Sequence, residues 1–238
     1  LAPTSEKATI VLVHGAFAES SSWNGVIAEL QKAGHTVIAA ANPLRGVASD
    51  AACVSKVVSS ISGPVVMVGH SYGGQVVSNV KSNGNVKALV YVSAFAPEAG
   101  ESGAGLAAKF PGSTLEQALA PPIPLEGGDV DLSILQDKFH EQFAADLPEA
   151  ESALMAATQR PVSGSALNDP SGEPSWKTIP SYFIYGDADK CLPPQGLGWM
   201  AARAASKKTV VVGGGSHVVM ISNSTVVAKL IVEAAASV

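Results

Sequence analysis

The chain has 238 residues, 47% of them hydrophobic and 15% charged, with a formal net charge of −5. That length and apolar content supply one large core, so a single α/β domain carrying an insertion is expected rather than two small domains. An acidic balance without a basic run argues against nucleic acid and anionic membrane surfaces as partners, and points to a small-molecule substrate that is neutral or modestly charged. No apolar run reaches the roughly 18 to 20 residues that span a bilayer, so a soluble protein is expected. The opening Leu1-Ala2-Pro3-Thr4 leaves the compartment open: cytoplasmic, or secreted if Leu1 is a processed start. Cys53 and Cys191 are too few for a disulfide framework and lack metal-ligand spacing, and both are expected as buried free thiols. Nothing in the chain signals an oligomeric state.

In chain order, residues 8–13 read as a strand, 22–33 as a helix that follows a serine cap and stops at Gly34, and 36–40 as a second strand. Residues 50–61 read as a helix, 65–69 as a strand, and 75–80 as helix-compatible. Further strands are predicted at 86–93, 181–185 and 208–212, with a closing helix at 225–235. The strands are nearly all apolar, as expected for parallel strands covered on both faces. Their alternation with helices predicts a doubly wound, mostly parallel sheet with functional groups on loops at the carboxyl ends of the strands.

Between Ala96 and Ile179 that rhythm breaks. Proline-rich loops at 120–124 and 168–174 surround helical patterns at 132–145 and 149–159. Ile134, Leu135, Phe139 and Phe143 recur at helical spacing and need something to pack against. An inserted helical cap over 96–179 is therefore expected on a core made of 1–95 and 180–238. Phe17, Phe139 and Phe143 are expected to line the substrate pocket that this cap closes.

Gly69-His70-Ser71-Tyr72-Gly73 falls at a strand-to-helix corner. Such a corner needs glycine on both sides of the serine, because the backbone bends sharply and the two elements approach closely. The pentapeptide itself is common in a chain rich in Gly and Ser; its position is what singles out Ser71 as a nucleophile. A serine hydroxyl needs a base, and the base needs an acceptor for its second ring nitrogen. Of the five histidines, His217 lies on a glycine loop just after the last predicted strand and is expected as the base. His14 and His70 are expected to shape loops, with His70 turned away from Ser71 by strand alternation, and His35 and His140 to be ordinary surface or cap residues.

The acid should lie between nucleophile and base along the chain. Asp189, deep in a loop stiffened by Pro193, is expected in that role, with Asp187 capping the turn and Glu98 and Glu101 as weaker alternatives. The developing oxyanion needs donors: the backbone N–H of Tyr72, and that of Ala16, which Gly15 would turn towards the site. The N–H of Phe17 is the alternative.

His14-Gly15-Ala16, the Ser71 corner, Asp189-Lys190-x-x-Pro193 and Gly-x-x-His217 together resemble the α/β-hydrolase superfamily over the whole chain except the cap. The run Val11 to Ala16, Trp23, Ala33-Gly34-His35 and the Asp189-Lys190 pair are similar to the branch that holds plant methylesterases, hydroxynitrile lyases and many bacterial carboxylesterases. The resemblance implies Ser71 as nucleophile, Asp189 as acid, His217 as base, the Ala16 and Tyr72 amides as oxyanion hole, and no metal or organic cofactor. Lyases of that branch carry threonine after the first-loop histidine and lysine after the catalytic histidine; here Gly15 and Val218 stand there, which favours ester hydrolysis over cyanohydrin cleavage. The expected activity is a serine esterase acting on small to medium carboxylic esters. A cofactor-free perhydrolase or haloperoxidase, or a carbon–carbon bond hydrolase, would use the same triad. A non-enzymatic ligand receptor is the alternative of a different class. Without G-x-G-x-x-G, H-E-x-x-H or C-x-x-C, nucleotide and zinc sites are not expected.

Overall fold

The computed structural model describes residues 6–238, so the reading of Leu1 as a processed start lies outside the described residues. The first half of the chain alternates β1 (Thr9–Val13), α1 (Asn24–Lys32), β2 (Val37–Ala40), α2 (Val47–Ser59), β3 (Val65–His70), α3 (Tyr72–Asn79) and β4 (Val86–Val92). Then follow α4 (Gly103–Ala108), α5 (Leu115–Ala118), β5 (Ile123–Pro124), β6 (Val130–Leu132), α6 (Gln136–Phe143), α7 (Glu149–Thr158), β7 (Val162–Ser163) and α8 (Gly164–Asn168). The chain returns through β8 (Ser181–Gly186), α9 (Pro194–Arg203), β9 (Lys208–Val212), α10 (Val219–Ser222) and α11 (Ser224–Ala236).

Six strands form one sheet in the order β2-β1-β3-β4-β8-β9, and every neighbouring pair is parallel. Every residue of β3 and β8 is buried, which is why these runs are continuous Val, Met, Phe and Ile rather than alternating. The parallel arrangement sends the ends of β1, β3, β8 and β9 to one edge of the sheet, where the segments around Gly15, Ser71, Asp189 and His217 meet. Among the described residues no helix is long and apolar enough to cross a membrane.

The doubly wound reading holds, with local corrections. No serine cap opens α1: residues 20–23 form a 3-10 turn, and the Ser22 hydroxyl donates to the Glu19 carbonyl at 2.6 Å. α2 begins at Val47 rather than Asp50, because the buried Asp50 carboxylate folds back to accept from the Arg45 N–H at 3.1 Å and holds the turn before the helix. Of the pattern over 132–145 only Gln136–Phe143 is helical; Leu132 ends strand β6, which pairs antiparallel with β5 and β7. The inserted stretch is thus not purely helical. α9 goes unpredicted because Pro194, Gly196 and Gly198 disguise it, although proline is well placed in a first helical turn. Cys191 is buried, whereas Cys53 is exposed on α2, and both are free thiols. The buried reading of Cys53 is therefore corrected.

Candidate active site

Ser71 joins β3 to α3 with φ 53° and ψ −124°, a left-handed conformation that side chains other than glycine rarely adopt. The surrounding backbone holds it there. Its N–H donates to Val92 O at 3.3 Å, and its carbonyl accepts from the N–H groups of Gly74 at 2.9 Å and Phe95 at 3.2 Å. The corner also packs against the loop after β1 so closely that a Cβ on Gly73 would lie 2.3 Å from the carbonyl oxygen of Val13.

Gly15 serves the same close approach. A Cβ there would stand 2.6 Å from His70 O and 2.7 Å from Ser71 Cβ, so this position is glycine because the first loop touches the serine corner. The positive φ of this loop belongs instead to Phe17, at 60°. The Phe17 N–H donates to Arg160 O at 3.1 Å, which removes it as an oxyanion donor. Tyr72 opens α3 and has no intrahelical acceptor, and among the described residues neither its N–H nor that of Ala16 is given to a protein acceptor.

Asp189 and His217 come together from the loops after β8 and β9. His217 Nδ1 donates to Asp189 Oδ2 at 2.7 Å, and both side chains are buried. Asp189 Oδ1 accepts the N–H groups of Cys191 at 2.8 Å and Leu192 at 2.9 Å, so the carboxylate is fixed by three donors. With Nδ1 donating, the neutral ring keeps Nε2 as its free lone pair. Ser71 and His217 line the same cavity; among the described residues no hydrogen bond joins the Ser71 hydroxyl to the ring, a contact that commonly tightens only when substrate binds. Asp187 is exposed and accepts the Gly214 N–H at 2.7 Å, the turn-capping role expected of it. Glu101 pairs with Arg203 at 2.8 Å and Glu98 with Lys177, both away from the cavity lining.

Two further histidines are tied into this framework. His14 donates from Nδ1 to Gly15 O at 3.0 Å and accepts the Asn42 N–H on Nε2 at 3.0 Å. Burial, with the Arg160 charge adding to it, pushes the His14 pKa down to about 4. The buried His70 ring donates from Nε2 to the carbonyl of His217 at 2.9 Å, and the two imidazoles lie 4.8 Å apart. His70 is not among the residues lining the cavity with Ser71; its ring holds the loop of His217, the loop-shaping role expected of it. Burial, then the neighbouring His217, keeps His70 well below the usual histidine range and uncharged.

Sequence reasoning missed contacts that exist only in space. α6 touches the loop that carries Asp189 through Gln142, whose Nε2 donates to Lys190 O at 2.9 Å. Just beyond it, Asp146 accepts the Ser216 N–H at 3.0 Å beside His217. On the other flank the Tyr72 hydroxyl donates to Asp50 Oδ2 at 2.6 Å, and burial together with that carboxylate pushes the phenol pKa up. No local signal links these residues.

A cavity of about 570 Å³ opens over Ser71 and His217, lined also by Ala16, Tyr72, Phe17 and Phe143. Phe17 and Phe143 meet edge to face at 6.2 Å, and Phe143 contacts the His217 ring at 5.1 Å. Phe139 does not line the cavity. Its fully buried ring lies 4.9 Å from that of Phe143, one turn earlier on the same face of α6, and supports it from behind. Among the described residues, Asp189, Cys191 and His217 are the group of ligand-type side chains close enough to hold a metal, within 4.8 Å of one another. The carboxylate, the Nδ1 of His217 and the thiol are each engaged in a hydrogen bond, the thiol donating to Gln142 O at 3.4 Å.

A profile described as "Alpha/beta hydrolase family" matches residues 10–230. A curated relative, the "Carbendazim hydrolyzing esterase" of Nocardioides sp. (strain SG-4G), is 32% identical over 109 residues, a match that spans 40% of this chain and 45% of that protein. Among solved structures, polyneuridine aldehyde esterase superposes with a TM-score of 0.81 at 18% identity, covering 96% of this chain and 99% of that one. The pyrethroid hydrolase PytH gives 0.76 at 20% identity, covering 97% and 98%. Tomato methylketone synthase I gives 0.79 at 19% identity, covering 98% and 99%. These structures share the fold.

Proposed function

The chain belongs to the alpha/beta hydrolase family, and from that premise we propose that it is a serine esterase, hydrolysing small-molecule carboxylic esters through an acyl-enzyme. Ser71 Oγ attacks the ester carbonyl while His217 Nε2 takes its proton. The alkoxide is held by the N–H groups of Ala16 and Tyr72 until the tetrahedral adduct collapses. The leaving alcohol takes the proton back from His217. Water, deprotonated by the same imidazole, then attacks the acyl group on Ser71 and releases the acid. Asp189 keeps Nε2 free and stabilises the imidazolium that forms, and an uncharged His70 adds no opposing charge beside it.

The observation that carries this reading is the buried 2.7 Å bond between Asp189 and His217 on a cavity that Ser71 also lines. The carbendazim-hydrolysing relative and two of the structural neighbours, an esterase and a pyrethroid hydrolase, point the same way. Gly15 supports hydrolysis over cyanohydrin cleavage: a threonine there would drive its Cβ to 2.7 Å from Ser71 Cβ. Residues 96–179 act in this proposal as a cap on the core formed by 1–95 and 180–238, with Phe17 and Phe143 as pocket walls. The test is turnover of p-nitrophenyl acetate by the purified protein, with His217→Ala expected to lower it roughly a thousandfold while leaving the fold intact.

A further inference from the structure

The cavity wall carries a charge preference as well as a shape. Among the described residues that line it there is no lysine or arginine, and its one carboxylate is that of the exposed Glu116. The cations nearest in sequence to the lining are engaged elsewhere. Lys109 Nζ sits 4.8 Å above the Trp199 ring, and Lys190 Nζ pairs with Glu141 at 3.2 Å. What the wall offers instead is rings and aliphatic side chains, among them Phe95, Phe110, Leu115 and Leu167. The width comes from α4, where Ala104 and Ala107 face the cavity with side chains of one carbon each. About 570 Å³ is ample for a substituted aromatic ester.

Resting on the esterase reading above, we propose that the substrates are uncharged esters with a bulky apolar or aromatic group, and that esters bearing a free carboxylate are turned away. An anion inside such a wall loses its hydration and finds no cation, while Glu116 repels it. The same physics acts on the product. Hydrolysis adds water across the ester bond to give an alcohol and an acid; the acid loses its proton to solvent, and the carboxylate finds no lysine or arginine in the lining to retain it. The apolar wall thus favours entry of the ester and departure of the acid.

The test compares methyl 4-methylbenzoate with methyl 4-carboxybenzoate, which differ little in shape and by one charge, using p-nitrophenyl acetate as the control for ester hydrolysis itself. The neutral benzoate is expected to exceed the charged one in kcat/KM by about a hundredfold or more, the penalty for an unpaired buried carboxylate. Leu167→Lys should recover at least about a tenth of that loss by supplying a cation. Ala107→Phe, which narrows the cavity, should lower kcat/KM for the neutral benzoate at least about tenfold more than for p-nitrophenyl acetate. If p-nitrophenyl acetate is cleaved but the two benzoates react within about threefold of each other, or neither reacts, the proposed preference is overturned and the esterase reading stands. Inactivity towards all three esters overturns both.

Discussion

His70 Nε2 donates to the carbonyl oxygen of His217 at 2.9 Å, so the residue that precedes Ser71 in the chain grips the backbone of its proposed base 147 positions away. The serine corner and the base loop are therefore one unit, and the ring that joins them is fully buried between Trp23, Phe143 and His217. His70→Phe keeps the ring and removes the donor, leaving a buried carbonyl unpaired. An unpaired buried acceptor costs about 1–3 kcal/mol, and any shift of the His217 carbonyl that relieves it moves the imidazole as well. Steady-state kinetics should show kcat lowered about tenfold with KM nearly unchanged. An unchanged kcat accompanied only by a lower melting temperature would make the contact purely structural.

The two aspartates of the 186–193 loop separate by partner. Asp189 holds the imidazole, while Asp187 holds the Gly214 N–H from an exposed position. Asp189→Asn should cost about three orders of magnitude in kcat, because an amide presented to Nδ1 no longer fixes the productive tautomer. Asp187→Asn keeps an acceptor for Gly214 and should retain most of the activity. The opposite ranking would transfer the acid role to Asp187.

Stability should fall with acid in a window set by histidine rather than by carboxylates. His14 titrates at about 4 in the folded protein against 6.5 when unperturbed, and His70 is also lowered. Below pH 6.5 the unfolded chain binds protons that the folded chain refuses, so stability is complete above that pH and declines as pH drops towards 4. His14 alone accounts for about 2 kcal/mol between pH 7.5 and pH 5. Urea midpoints across that range should shift accordingly, with a smaller shift in His70→Phe. A flat profile from pH 7.5 to pH 5 would show that neither ring is held neutral.

The two thiols should differ sharply in reactivity. Cys53 is exposed, whereas burial, and then the Asp189 charge, pushes the Cys191 thiol well above the usual range and keeps it protonated. With a disulfide reagent such as DTNB, one equivalent should react quickly in the native protein and the second only on unfolding. Rapid reaction of both would mean that the loop that carries Asp189 opens readily.

Much of this arrangement is local and therefore legible in the sequence. The apolar runs of β3, β4 and β8, the glycines around Ser71 and the glycine loop before His217 each state their geometry within a few residues. Other features arise only on folding. That Gly15 is required by contact with Ser71, that Phe17 spends its N–H on Arg160, and that Gln142 and Asp146 clamp the loops of Asp189 and His217 all depend on segments far apart in the chain. The inserted stretch misleads for a related reason. Its strands β5 and β7 have two residues each, too short for a period, and α6 shows only that Phe139 and Phe143 share a face, not which of them reaches the cavity.

The central claim is that Ser71 carries the acyl group in a covalent intermediate. Rapid quenching during p-nitrophenyl acetate turnover, followed by intact-mass and peptide analysis, measures this directly. The account predicts one added acetyl group per chain, located on Ser71, with an initial burst of nitrophenol; in Ser71→Ala both should vanish and turnover should fall roughly a thousandfold or more. Undiminished turnover in Ser71→Ala, or an acetyl group carried by another residue at a kinetically competent rate, would contradict it.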